Sequence, residues 1–363
     1  MSVKSIMYLL AKPLLRTGAA GPAPLDIRKL SSILIIRPEK LGDLLVSLPL
    51  CEALKRANPD LKLYLLASSR GLEAVQGDPR FEQIFLYRKQ AISDFRTARA
   101  IRRLKVDFVI DLVCDDSVTS LFLTQYCARG RACAGMGKNQ FRKHYDFNFP
   151  YRTDNDAHVI DNTLKILGAF GIDSRTADPY VPLHIGAEAT RKATEWLTRS
   201  VPHKSGALRI GINQSAGSPN RIWPDAKTKE LISRIKSRHD ESQIILIYVA
   251  RDRQRAEALA LDFDSGVCTV PLGLNLEEVS AIISRLDALV SPDTSLIHIA
   301  RSFHVPVVGL YSRFMDNYRL WRPYGQSEGA VVSSSDVDIC DIPFDQVFDT
   351  LQRLLNAEKE VAR

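Results

Sequence analysis

Residues Ile33 to Pro49, Ile-Leu-Ile-Ile-Arg-Pro-Glu-Lys-Leu-Gly-Asp-Leu-Leu-Val-Ser-Leu-Pro, constrain the fold more than any other stretch. An apolar run of strand length, Ile33–Arg37, empties through a short turn onto a helix start that carries one carboxylate, Asp43. The same rhythm recurs along the chain, and repeated strand–helix units imply parallel sheets with helices on both faces. Asp43 is then expected at the carboxyl edge of the first sheet, where open α/β sheets bind ligands. An Asp after a Gly at such a junction also suits helix capping, so this stretch alone leaves capping and chemistry side by side.

The pattern predicts a helix over Asp43–Ala57, a strand over Leu61–Ala67, a short strand at Ile84–Tyr87, a basic helix over Ser93–Leu104 and a strand at Phe108–Leu112. A helix is expected over Ala157–Phe170, and Pro179 to Leu183 reads as a linker. A second series follows, with strands at Arg209–Asn213, Gln243–Val249, Ala288–Val290 and Val307–Leu310. Its helices are expected near Glu188–Leu197 and over Pro224–Ser237, Arg253–Leu261, Leu276–Ser284 and Ser295–Phe303. A last amphipathic helix, Phe344–Leu355, should pack on one of the halves. The expected class is α/β, with two Rossmann-like domains facing a central cleft. Its parts are an N-terminal segment and linker (1–31), a first Rossmann-like domain (32–182), a second Rossmann-like domain (183–330) and a tail with a helix (331–363).

Length and composition agree with two domains: 363 residues, 45% apolar and 25% charged, can bury a large core. The six cysteines are scattered, with no Cys-x-x-Cys pair and no zinc spacing, so neither a disulfide framework nor a metal finger is indicated and a reducing cytosol is expected. A formal charge of +7 favours anionic partners without choosing among them. No apolar run approaches the ~20 residues of a membrane-spanning helix. Met1 to Arg16 sets apolar residues among Lys4, Lys12 and Arg16, a basic amphipathic element able to lie on a membrane face, although Lys12-Pro13 interrupts it. The alternative is a helix packed on the domain surface.

Two turns in the second half are suited to anions. Gln214-Ser-Ala-Gly-Ser-Pro-Asn-Arg-Ile-Trp-Pro224 joins a strand to a helix start. Small residues there let backbone N–H groups approach a diphosphate, and Arg221 can donate a forked pair of hydrogen bonds. A flexible loop with a solvated Arg fits the same composition. Asp293-Thr-Ser-Leu-Ile-His298 also follows a strand. Asp293 could accept from a sugar and Thr294 and Ser295 could donate to phosphate, with His298 one turn further; a capping motif with a packed His is the plainer reading. Asp115-Asp116 reads as solvated or capping, and no metal site is assigned.

The order Arg37-Pro-Glu-Lys-Leu-Gly-Asp43-Leu-Leu-Val-Ser-Leu-Pro49, Arg221-Ile-Trp-Pro224, Asp293-Thr-Ser-Leu-Ile-His298 and Val305-Pro-Val-Val-Gly-Leu-Tyr311 resembles glycosyltransferase family 9, the lipopolysaccharide heptosyltransferases, which are two-domain GT-B enzymes. The resemblance runs from about Ser32 to Tyr311. It implies a catalytic base at Asp43, a phosphate grip at Arg221, and a donor signature at Asp293, Thr294, Ser295 and His298. The usual Gly of that signature is Ser295 here, and Ser312-Arg313-Phe314 replaces a common Gly-Pro-Thr. Both departures touch the donor side.

The expected function is therefore an inverting, metal-independent transfer of a sugar, with heptose from ADP-heptose first in line, to an acidic inner-core lipopolysaccharide acceptor, with no cofactor. The donor set is Gly42, Gln214, Ser215, Ala216, Gly217, Arg221, Asp293, Thr294, Ser295, Leu296 and His298. The acceptor set is Lys40, Lys138, Arg142, Lys143 and His144. Arg96, Arg99, Arg102 and Arg103, on one predicted helix, read as a solvated basic face. The expected location is cytoplasmic, with peripheral contact at the inner face of the cytoplasmic membrane through residues 1–16.

Rival classes are an oxidoreductase, disfavoured because no Gly-x-Gly-x-x-Gly follows a strand, and a nucleic-acid binder, disfavoured because the basic surface lacks interleaved aromatics. A lapsed family member or a non-enzymatic binder of anionic glycolipid stands as the alternative.

Overall fold

β1 (Ser32–Arg37) is buried along all but its first residue and occupies the middle of a six-stranded sheet. A strand so enclosed needs cover on both faces, and the chain supplies it by alternating helices and strands. After β1 come α1 (Leu41–Leu45), α2 (Leu48–Ala57), β2 (Lys62–Ala67), α3 (Ser69–Val75), β3 (Phe81–Leu86), α4 (Ala91–Leu104), β4 (Phe108–Asp111), α5 (Val118–Ala128), β5 (Cys133–Met136), β6 (Phe147–Phe149) and α6 (Val159–Leu164). The order is β3-β2-β1-β4-β5-β6, and every pairing is parallel. This computed structural model describes residues 8, 12–19, 22–151, 157–201 and 207–361.

The chain divides into two units, Met1–Val181 and Pro182–Arg363. The second opens on α7 (Ala187–Ser200) and continues β7 (Arg209–Asn213), α8 (Asp225–Arg238), β8 (Gln243–Ile247), α9 (Arg253–Leu261), β9 (Val267–Thr269), α10 (Leu276–Ile283), β10 (Ala288–Pro292), α11 (Ser295–Ser302), β11 (Val307–Tyr311), α12 (Tyr318–Trp321), β12 (Ala330–Val332) and α13 (Phe344–Val361). Its strands order β12-β11-β10-β7-β8-β9, again parallel throughout. α13 belongs to this unit: Val347, Phe348, Leu351, Leu354 and Leu355 share one apolar cluster with β7, β8, β10 and β11.

Three expectations are corrected. The single helix over Asp43–Ala57 is two helices, because Pro49 has no N–H for the Leu45 carbonyl and instead sits at the start of α2. The helix over Ala157–Phe170 tightens after α6 into a 3-10 stretch, Lys165–Phe170, ended by Gly171 at φ +67°. The strands β5, β6, β9 and β12 and the helices α5 and α12 had no counterpart in the periodicity.

The amphipathic element proposed for Met1–Arg16 lies largely outside the described residues. Its described parts bind the first unit. The Tyr8 ring stands 4.7 Å from that of Phe141, and Arg16 forks onto Asp146 at 2.7 Å from each terminal nitrogen. Among the described residues no helix is long and apolar enough to cross a membrane.

Candidate active site

Asp43 lies in the first turn of α1, three residues after Lys40, at the carboxyl edge of the first sheet. Its Oδ2 accepts the Lys40 N–H at 3.0 Å, so Asp43 closes the start of α1 from its third position, while the N-cap residue itself is Lys40. Its Oδ1 faces the Arg37 guanidinium at 3.5 Å, and its side chain keeps 18% exposure. Capping and ion pairing hold this carboxylate in one place while leaving it open to solvent.

Arg37 organises the edge. It is fully buried, donates from Nε to the Asp43 carbonyl at 3.0 Å and from Nη1 to Glu39 Oε2 at 2.9 Å, and also reaches the Leu112 carbonyl. Burial pushes the Glu39 carboxyl up to about 7; the Arg37 charge opposes this, and Asp43, Asp111 and Asp115 add to it. Nothing in the sequence singles out Glu39, because part of its acidic surroundings, Asp111 and Asp115, comes from β4 and the loop after it.

The acceptor set separates. Lys40, Arg142 and Lys143 are exposed. Lys138 and His144 are not, and both assignments are corrected. The Lys138 ammonium is wholly buried, 3.0 Å from Asp111, and donates to the carbonyls of Val113 and Asp115 at 2.6 and 2.9 Å. His144 is 1% exposed, with Nε2 against the Tyr8 hydroxyl at 3.2 Å and Nδ1 against the Arg16 carbonyl at 3.0 Å. Neither can reach an acceptor. Asp116 accepts the N–H groups of Asn139, Gln140 and Phe141, a capping role for that acid.

In the second unit the expected donor residues gather at the carboxyl edges of β7 and β10, which are neighbours in the sheet. Asn213, at the end of β7, donates to Ser291 Oγ at 3.0 Å and to Thr294 Oγ1 at 3.2 Å, tying the two turns together. Thr294 caps α11 by accepting the Leu296 N–H at 3.4 Å. Asp293, Thr294, Ser295 and Leu296 are half-buried. The Arg221 Nη1 pairs with Asp293 Oδ2 at 3.0 Å, which orients the guanidinium, while its Nε and Nη2 have no partner among the described residues.

Gln214, Ser215 and Ala216 are buried, and Gly217 is exposed with open space where a Cβ would stand. The Ser215 hydroxyl donates to Asp252 at 2.5 Å and accepts the Val249 N–H at 3.0 Å, so it shapes the turn from within. Arg255 donates to the Gln214 carbonyl and Arg251 to that of Ala216. Asn213, Arg251, Asp252 and Arg255 were missed in the sequence; the run of arginines opening α9 was the available signal. His298 is 8% exposed, its ring 5.6 Å from that of Trp321, and burial pushes it down to about 4. It is neutral near pH 7 and brings no charge to a phosphate.

Among the described residues no group of three or more His, Cys, Asp or Glu side chains is gathered to hold a metal.

Two doubly wound units, one with a half-buried carboxylate at its sheet edge and the other with paired anion-ready turns, define a GT-B glycosyltransferase fold. The family model described as glycosyltransferase family 9 (heptosyltransferase) matches residues 95–340. The chain belongs to glycosyltransferase family 9. It is 21% identical over 307 residues to lipopolysaccharide heptosyltransferase 3 of Escherichia coli, covering 79% of this chain and 84% of that one. A family 9 glycosyl transferase from Veillonella parvula superposes with a TM-score of 0.76 at 17% identity, covering 93% of this chain and all of that one. An E. coli heptosyltransferase solved with ADP-2-deoxy-2-fluoro heptose gives 0.67 at 18% identity, covering 89% and 99%.

Proposed function

We propose that this protein is an inverting heptosyltransferase that carries heptose from ADP-heptose to an inner-core lipopolysaccharide acceptor, with Asp43 as general base. The acceptor hydroxyl gives its proton to the Asp43 carboxylate as its oxygen forms a bond to the anomeric carbon. The bond from that carbon to the diphosphate oxygen breaks, and ADP leaves with the electron pair. Arg221 and the amide groups at the start of α11 stabilise the charge that grows on the leaving diphosphate, and no metal ion is called for. Lys40, Arg142 and Lys143 attract the acidic acceptor. The ADP and heptose assignments rest on the relative solved with an ADP-heptose analogue.

The observation that carries this reading is the Asp43 carboxylate, fixed by the Lys40 N–H and Arg37 yet only half-buried at a sheet edge. Paired substitutions test it. Asp43→Asn should lower turnover by about 10²–10⁴-fold, the usual worth of a positioned base, with donor affinity unchanged. Arg221→Ala should weaken donor binding in titration calorimetry. Normal ADP release by Asp43→Asn in the presence of acceptor would remove Asp43 from the chemistry.

A further inference from the structure

Between Arg88 and Lys105 the chain carries seven Lys and Arg and one Asp, a surplus close to the whole protein's net charge of +7. The single acid is engaged locally: Asp94 is half-buried and accepts the N–H groups of Arg88 and Gln90 at 2.7 and 2.8 Å. α4 turns Ala98 and Ile101 inward, where they are 3% and 0% exposed. Its other face runs Ile92, Arg96, Arg99, Arg103, spaced as one stripe along a helix, with Phe95 beside it. The three arginines are exposed. Ile92 and Phe95 are 73% and 58% exposed, and Phe95 leans on Tyr126 with ring centroids 5.9 Å apart. Arg102 lies over the same Tyr126 ring at 4.6 Å and packs rather than projects.

Exposed Ile and Phe on a solvated cationic helix are costly in water and well suited to a bilayer surface. There apolar side chains enter the acyl boundary while arginines meet lipid phosphates. We infer that this face of α4 docks the protein on an anionic phospholipid bilayer. The apolar pair is at the amino end of α4, just after β3. In an all-parallel sheet that end shares an edge with the turn after β1 that holds Asp43. A lipid-borne acceptor would thus be met at the edge where the base stands. That last step rests on the proposed function; the bilayer contact does not.

Flotation of the whole protein with vesicles, without donor or acceptor, tests the contact and leaves the transferase reading untouched. Wild type should float with phosphatidylglycerol vesicles at low salt, stay behind with phosphatidylcholine vesicles, and be released in high salt. Arg96→Ser/Arg99→Ser/Arg103→Ser should lower the partition coefficient roughly a hundredfold, and Ile92→Ser/Phe95→Ser roughly tenfold. All these side chains are exposed, so melting temperatures should match wild type. The proposal is overturned by variants that float like wild type, by equal binding to neutral vesicles, or by no binding at low salt. Arginine-dependent capture of duplex DNA in place of vesicles would also overturn it.

Discussion

Arg37 is a buried cation with two carboxylates, and the two are not equivalent. Asp43 has the Lys40 N–H as well as the guanidinium, whereas Glu39 meets Arg37 in a site where burial outweighs the attraction. Its carboxyl therefore titrates near 7 in the folded protein, against 4.5 ordinarily. A raised carboxyl pKa means the folded state holds its proton more tightly than the unfolded chain does. That contribution to stability is full below pH 4.5 and is lost as pH rises to 7. Glu39→Gln should accordingly flatten the fall in melting temperature between pH 5 and 8, and an unchanged slope in thermal denaturation would contradict it. His298 has the opposite sign: held down to about 4, it favours the fold above 6.5 and weakens it as the pH drops towards 4. The places of Asp43 and Arg221 at the edges of their sheets were legible because each sits in a recognisable turn. Glu39 was not, since its environment is made by β4 and the loop after it.

At the scale of elements, the loop after β5 is held by a buried ionic knot. Asp111, the last residue of β4, pairs with Lys138, accepts the Tyr145 hydroxyl at 2.6 Å and that of Ser120, and takes the Val113 N–H at 3.1 Å. Gly135 makes room: a Cβ there would stand 2.8 Å from both Lys138 and the Tyr145 ring. Removing one partner of a buried pair strands the other charge, so Lys138→Met should cost about 3–5 kcal/mol in urea denaturation. A neutral result would contradict a buried ion pair between Lys138 and Asp111. None of this could be read locally, because Lys138 and Asp111 lie 27 positions apart and a lysine in a Gly-containing loop looks solvated. The long central elements were readable from apolar runs, but β6, β9 and β12 are three residues each, too short to show a period. α5 is apolar nearly all round and offers no stripe. The break after α1 was announced by Pro49 and overlooked.

For the molecule as a whole, the decisive fact is that each unit has its own sheet and its own apolar core. Calorimetry should resolve two unfolding steps, of which ADP should move only the second unit's. At a hundredfold excess over Kd the shift should be roughly 5–10 °C, and displacement of both steps, or of neither, would count against a donor site confined to Pro182–Arg363. One connection within that unit reaches further. The Trp223 indole donates to the Ile342 carbonyl at 3.1 Å, Lys227 donates to the carbonyls of Cys340 and Ile342 at 2.6 and 2.9 Å, and the Ile339 N–H reaches the Asn220 carbonyl at 3.3 Å. The segment that leads into the last helix is thus a splint for the arginine loop. Trimming it off, as one would an idle appendage, would unfasten the proposed nucleotide grip from behind.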